Sequence, residues 1–287
     1  MIPLEIGGTK VLVIDTPGFD EAKRSDSEIL TEIARLLSAQ YQLGVELKGI
    51  IYIHRITDIR YTGSAAKTFE IFRRICGDKP LENVLLITSR WTNDMDEMMG
   101  SQREGELKEN FWSYMLDKGS KMSRFYGDHD SAVMLVSQLL MKDSVVLELQ
   151  HDLVDNGRKL SETAAGAYVN DGLEELKTEY RQGLLSLDKL REELLEKDRA
   201  AKRRVQKDLE KENARLEETE KQQVSLQRRI GDEVHDEIRE KTSTQILSKV
   251  LPTVLDILGA FVGIPPGVFS AVGAIVGSTL SSWFLSV

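Results

Sequence analysis

The order of apolar and polar positions divides the chain into three zones. In residues 1–155, short β-branched runs alternate with stretches of helical periodicity. That alternation predicts an α/β domain with a mostly parallel sheet. Val11-Leu12-Val13-Ile14 reads as a strand, and Leu4-Glu5-Ile6 pairs with it across a Gly7-Gly8 turn as an antiparallel hairpin. Ile29, Ile33, Leu36 and Leu37 recur at helical spacing, and Gly49 to Ile53 is a short buried-strand run. From Thr62 a helix carries Ala65, Phe69, Phe72 and Ile75 on one face and stops at Gly77. Val84 to Ile87 is the next strand. Ser101 with Glu104 predicts a capping box for a helix bearing Leu107, Phe111 and Met115. Ala132 to Val136 is expected as the last strand, with a helix following to about Leu153.

Residues 156–245 change character: from Gly172 to Lys241, Glu, Lys, Arg, Gln and Leu dominate and no proline occurs. One or two long helices are expected, forming a charged helical or coiled-coil stalk. Leu173, Leu176, Tyr180, Leu184, Leu187, Leu190 and Leu194 make an apolar seam. Val205, Leu209, Leu216, Leu226 and Ile230 continue a heptad phase, but Glu212, Thr219 and Gln223 interrupt it. Residues 196–225 therefore read as a solvated charged helix more than as a tight coiled coil.

Residues 246–287 are apolar. Asp256 is the last charge, and Pro265-Pro266 splits the segment into two arms, an apolar helical hairpin. The second arm, Gly267 to Val287, has 21 residues, enough at helical rise for about 30 Å of hydrocarbon. Gly273, Gly277 and Ser281 lie four apart, as in close-packed membrane helices, and Trp283 suits an interface. The segment fits either membrane contact or a hairpin packed on protein.

Composition narrows the classes. A formal net charge of −9 argues against general nucleic-acid binding. One cysteine, Cys76, allows no intrachain disulfide and fits a reducing compartment. Met1-Ile2-Pro3 opens no signal peptide, so a cytoplasmic location is expected, with membrane association through residues 246–287 as an addition.

The most informative motif is Asp15-Thr16-Pro17-Gly18-Phe19 at the end of the Val11 run. A strand ending in Asp-x-x-Gly begins the phosphate-responsive loop of GTP-binding proteins. Asp15 can hold the water shell of a Mg²⁺ ion, and Gly18 can offer its N–H to a terminal phosphate. Only fourteen residues precede Asp15, and none forms a GxxxxGK(S/T) loop. Gly7-Gly8-Thr9-Lys10 runs into a strand rather than a helix, and Thr62 to Lys67 lacks the glycine spacing. A base-reading motif of the form (N/T)KxD would sit after a later strand. The candidate is Thr88-Ser89-Arg90-Trp91, with Thr92 where the aspartate belongs and Asp94 two residues late. Arg90 or Trp91 could stack on a base.

VLVIDTPGFD at Val11 to Asp20, IYIHRITDIR at Ile51 to Arg60, Thr62-Gly63-Ser64, Cys76-Gly77 and Thr88 to Trp91 together resemble a fungal group of P-loop GTPase-domain proteins related to the AIG1 and septin type. The likeness covers residues 4–150. It implies a partial Ras-like P-loop NTPase sheet and a Mg²⁺–GTP site with Asp15, Thr16, Gly18, Thr88, Arg90 and Trp91 against the nucleotide. It also implies that the phosphate loop belongs to a segment absent from this sequence, and with it a central strand between those of Val11 to Ile14 and Ile50 to Ile53. The expectation is a truncated or degenerate GTPase with impaired nucleotide binding. The alternative is a non-enzymatic pseudo-GTPase that binds a membrane, a partner or its own copies through its helices and tail. His54-Arg55 at a strand end is more often bonded to neighbouring carbonyls or to Asp58 than catalytic. Asp128-His129-Asp130 reads as a solvated loop rather than a metal site.

Overall fold

In the computed structural model the described residues are 2–19, 24–59, 61–91, 97–193, 199–244 and 283–286. The chain opens with the hairpin of β1 (Ile2–Ile6) and β2 (Thr9–Ile14). Its strands are antiparallel, with Ile6 opposite Thr9. Gly7 and Gly8 both take positive φ, 57° and 79°, as a tight two-residue turn requires. Helix α1 (Asp26–Gln42) follows and starts on the Ser25–Glu28 capping box. Strand β3 (Glu46–Arg55) leads to α2 (Gly63–Cys76), whose N-cap Thr62 accepts from Ala65 N–H at 3.2 Å. Strand β4 (Val84–Ser89) is buried at every position. These elements match the periodicity.

The next stretch departs from it. Helix α3 (Glu97–Glu106) begins before Ser101, so Ser101 and Glu104 are interior positions rather than a cap. A π-helical turn at Leu107–Phe111 then separates α3 from α4 (Ser113–Asp117). Leu107 and Met115 are buried, whereas Phe111 is 39% exposed and lies 4.1 Å from the Tyr61 ring. The strand expected at Ala132 to Val136 is helix: α5 (His129–Leu140) is started by Asp128, whose carboxylate accepts from Ser131 N–H at 2.7 Å. A five-residue apolar run cannot distinguish a strand from the buried face of a helix, and here the cap decides. The fifth strand is β5 (Lys121–Arg124), a short polar edge strand without an apolar signature. No single helix runs on to Leu153. A short α6 (Glu148–Gln150) and a π-helical turn at His151–Asp155 occupy that region instead.

The sheet order is β1-β2-β6-β3-β4-β5, and all pairings but β1–β2 are parallel. Strand β6 is Trp283–Ser286, placed between β2 and β3. It pairs Leu12, Val13 and Ile14 on one side and Glu46 to Ile50 on the other, with a register shift between Leu47 and Gly49. The strands along Val11 to Ile14 and Ile50 to Ile53, expected to lose a common neighbour, thus share one over part of their length. Trp283, expected near the end of a membrane helix, opens this strand. The remainder of the apolar hairpin lies outside the described residues. No helix among the described residues is long and apolar enough to cross a membrane.

Alternation along the strands sends side chains to two layers. Leu12, Ile14, Ile50 and Leu86 face α1 and α2 in the main core, with Ile29, Ile33, Phe72 and Ile75. Val11, Ile51, Leu85 and Ile87 face α5, against Leu135, Val136 and Leu139.

The long helices are three: α7 (Ala164–Glu193), α8 (Arg199–Leu226) and α9 (Ile230–Thr244). Helices α7 and α8 pack antiparallel, because Lys177 and Glu174 bond Gln223 while Arg181 reaches Glu220. Thr219 and Gln223, the polar interruptions of the heptad phase, are buried in this contact, and Gln223 is satisfied from α7. The outer seam is less covered: Leu176 and Leu190 remain exposed, as does Leu185 outside the seam. At its inner end the pair joins the main core: Leu173, Leu226, Ile230 and Val234 sit in the same cluster as Ile29. Arg35 on α1 pairs with Glu233 and Glu237 on α9. Two glycines permit this docking, since a Cβ on Gly166 would lie 1.8 Å from Leu160 O and one on Gly231 2.0 Å from Leu153 O.

Candidate functional site

Ligands of open parallel sheets bind beyond the carboxyl ends of the strands, where loops leave to either side. In this chain those ends carry Asp15, Arg55 and Ser89. Asp15 directly follows β2 and is exposed, and Thr16 and Pro17 behind it are half-buried. The space around Gly18 is open, as a Cβ there would meet nothing within 4 Å. Thr16 to Phe19 wall one end of an apolar cavity of about 290 Å³. Ile14, Ile33, Leu36, Ile50 to Ile53, Phe72 and Ile75 supply much of its remaining wall, with Gln40 and Thr68 as polar members. Phe19, Tyr52 and Thr68 also border a second, open cleft. That cleft, of about 850 Å³, has a mixed wall: His54, Arg55, Asp58, Thr62 and Ser64 supply polar groups beside the apolar Ile59 and Ala65.

Aromatic rings support the floor of this end. Tyr52 on β3 lies 5.2 Å from Phe69 edge to face and 6.0 Å from Trp112, which is fully buried. His54, two residues further along β3, packs 5.4 Å from Tyr61 and 6.2 Å from Trp112. Burial lowers the His54 pKa, with the Asp58 carboxylate opposing and Arg55 assisting. Burial likewise raises the phenols of Tyr52 and Tyr61. Arg55 spends its charge on Asp58 at 3.4 Å, an arrangement expected of His54-Arg55.

The base-reading candidates form a separate group after β4. Thr88 is fully buried, and its hydroxyl donates to Glu104 Oε1 at 2.9 Å. Trp91 Nε1–H donates to Thr88 Oγ1 at 3.1 Å and Thr88 O at 3.2 Å. Arg124 donates to Glu104 Oε2 through Nε and Nη2, at 2.9 and 2.6 Å, and its guanidinium lies 4.0 Å over the Trp91 ring. The Glu104 carboxylate holds the Arg124 pKa above its usual value. Thr88, Glu104, Arg124 and Trp91 thus close a ring of polar contacts. Arg90 between them is exposed and has φ 67°, the one described non-glycine residue with positive φ. Arg55, which lines the open cleft, pairs with Ser89 across β3 and β4, so Arg90 follows within one residue of the cleft's edge.

The structure therefore brings Asp15, Thr16 and Gly18 together at one strand end, and Thr88, Arg90 and Trp91 at another. Sequence reasoning missed Glu104 and Arg124. Their sign was a charged pair 20 positions apart, with the arginine in a strand that had no apolar pattern. For a divalent cation the chain offers Asp15 and the Thr16 hydroxyl. That donor set suits Mg²⁺ held through water and completed by phosphate oxygens, since this ion commonly keeps several waters. Among the described residues no group of three acidic, histidine or cysteine side chains gathers at one point. Asp128, of the Asp128-His129-Asp130 run, is engaged as the α5 cap.

Neither comparison with protein-family models nor comparison with curated proteins gives a match to this chain.

Proposed function

We propose that the chain is a GTP-binding-domain protein of the AIG1 and septin type whose affinity for nucleotide is impaired. The observation that carries this reading is Asp15-Thr16-Pro17-Gly18 leaving the carboxyl end of β2, an inner strand of a mostly parallel sheet, with Phe19 at the edge of an open cleft of mixed polar and apolar lining. In the reaction such a site would run, Mg²⁺ bound with the nucleotide supplies charge neutralisation at the phosphates. Asp15 would hold the metal's water shell, and Gly18 N–H would meet the terminal phosphate. No GxxxxGK(S/T) loop lies within these 287 residues to add charge-assisted hydrogen bonds to phosphate, each worth about 1.5–3 kcal/mol, so this stretch by itself should bind nucleotide weakly. The test is titration with a fluorescent GTP analogue in Mg²⁺. Binding should be weak, displaced by GTP and lost in Asp15→Asn; binding unchanged by that substitution would reject the reading.

A second reading is favoured by the ring of Thr88, Glu104, Arg124 and Trp91. These contacts occupy the groups a base would use, which suits a pseudo-GTPase acting as an interaction platform. Its surfaces would be the exposed leucines of α7, suited to self-association, and the apolar tail, suited to a membrane from the cytoplasmic side. Analytical ultracentrifugation of Leu185→Glu against the parent tests the first surface.

A further inference from the structure

Helix α8 is charged along its length, but its two halves differ in sign. In the first, Lys202, Arg203, Arg204, Lys207 and Lys211 stand against Asp208 and Glu210. In the second, Glu212, Glu217, Glu218 and Glu220 outnumber Arg215 and Lys221. The chain as a whole has a net charge of −9, so the basic stretch runs against its surroundings. We propose that this stretch of α8 docks on an anionic phospholipid surface, its cations meeting the lipid phosphates and carboxylates. Residues 246–287 play no part in this contact, which is separate from the tail as a membrane surface.

The cations are presented outward. Val205 and Leu209 are buried and fix the inner side of the helix. Arg203, Lys207 and Lys211 recur every four residues on the opposite side, a row about 12 Å long flanked by Arg204. All four are exposed. They are also free. Elsewhere in the helical region Lys177 pairs with Glu174, Arg181 with Glu220, Arg215 with Glu212 and Arg228 with Glu233. Arg203, Arg204, Lys207 and Lys211 make no ion pair among the described residues. An anionic surface that attracts them therefore breaks no internal pair.

Shape and sign favour a planar partner over a threadlike one. A nucleic acid would run on along α8 into Glu212, Glu217, Glu218 and Glu220, and α8 carries no aromatic side chain on which a base could stack. A bilayer meets only the basic end. The facing end of α7 is neutral there, with Asp188 and Glu192 offset by Lys189 and Arg191. Exposed Glu175 of α7 adjoins Glu174, the partner of Gln223, and so lies about 24 Å along the hairpin from Lys207. That is about three Debye lengths at physiological salt, so its repulsion is screened while the row is in contact. Clusters of four or more Lys and Arg on a helix face bind anionic lipid by additive attraction, without a shaped pocket.

The experiment is co-sedimentation of the full chain with phosphatidylcholine vesicles, with and without phosphatidylserine, at low and high KCl. The α8 variant combines Arg203→Gln, Arg204→Gln, Lys207→Gln and Lys211→Gln. A control of equal charge change combines Lys108→Gln, Lys121→Gln, Lys221→Gln and Arg239→Gln, all at exposed positions elsewhere. Circular dichroism checks that both stay folded. The parent and the control should bind phosphatidylserine vesicles, less so in high salt. The α8 variant should lose on the order of 100-fold in partition coefficient. Binding to phosphatidylcholine alone reports the tail and should be equal in all three. Phosphatidylserine dependence that is missing in the parent, survives the α8 substitutions, or falls equally in the control would overturn the proposal while leaving the tail reading intact. Salt-sensitive self-association, or binding of a single-stranded RNA, lost in the α8 variant without any vesicle binding, would overturn it in favour of a second copy or a nucleic acid.

Discussion

The guanidinium of Arg124 lies 4.0 Å above the ring of Trp91, held there by two hydrogen bonds to Glu104. A tryptophan that looked available for stacking on a base is already stacked on an arginine. Glu104 is the hinge of this arrangement, because it also accepts from the buried Thr88 hydroxyl. Glu104→Ala would take the acceptor from the buried Thr88 hydroxyl and leave Arg124 only Ser101 Oγ at 3.2 Å and the longer Glu97 pair. The expected loss is about 2–3 kcal/mol of stability, read by urea denaturation. Arg124→Ala should instead open the Trp91 face and raise acrylamide quenching of tryptophan fluorescence. Unchanged stability in the first variant would mean that the ring of contacts is incidental.

Arg90 sits in the left-handed region at φ 67° without the glycine that region favours. Such a backbone costs a side-chain-bearing residue about 1 kcal/mol. Arg90→Gly should therefore raise stability by up to about 1 kcal/mol, less the entropy glycine adds to the unfolded chain. If Arg90 contacts nucleotide, the same variant should weaken binding. A gain in stability with a loss of binding is the expected pair of results, from thermal denaturation and analogue titration.

The glycines of the helical region divide sharply. Gly166 and Gly231 lie where a Cβ would strike a backbone carbonyl, whereas Gly183 in α7 has open space around it. Gly231→Ala should cost about 3 kcal/mol, since α9 must back away from Leu153. Gly183→Ala should add about 1 kcal/mol through helix propensity. Chemical denaturation of the two variants side by side checks both signs.

Burial lowers the His54 pKa in the folded chain, so the unfolded chain takes up the proton first as pH falls. Above the unfolded value of about 6.5 both states are neutral at this residue and it adds no pH dependence. Below it, stability should decline until the folded-state pKa is passed. His54→Phe should flatten this part of the profile between pH 7 and the mid-acid range, measured by urea midpoints. An equal slope in the variant would assign it to other groups.

The β1–β2 hairpin, α1, α2, β3 and β4 were legible because each carries its own local signal. These were a Gly-Gly turn, the helical spacing of Ile29, Ile33, Leu36 and Leu37, an N-cap threonine with a terminal glycine, and apolar runs of the right length. Strand β5 was not legible. Its Lys-Met-Ser-Arg sequence gains strand geometry only from pairing with Leu85 to Thr88. The Ala132–Val136 run was misread because burial of α5 on the sheet needs the same residue types as a strand. The heptad phase announced α7 and α8, but not that they fold back antiparallel and dock by Leu226, Ile230 and Val234. At the candidate site, Asp15 and Gly18 were legible as a motif. The engagement of Thr88 and Trp91 was not, because it depends on Glu104 and Arg124 arriving from other elements. The position of β6 in the sheet had no sequence sign at all, since its pairing is entirely long-range.

The most direct measurement is the thermal midpoint of the full chain against GTP concentration at fixed Mg²⁺, with ATP and with Asp15→Asn in parallel. A ligand that binds only the folded state must raise the midpoint once its concentration passes Kd. The account predicts a rise that begins only near about 1 mM GTP, is smaller with ATP and is absent in Asp15→Asn. No rise with GTP at that concentration, or an equal rise in the variant, would contradict the assignment of Asp15 to a nucleotide site.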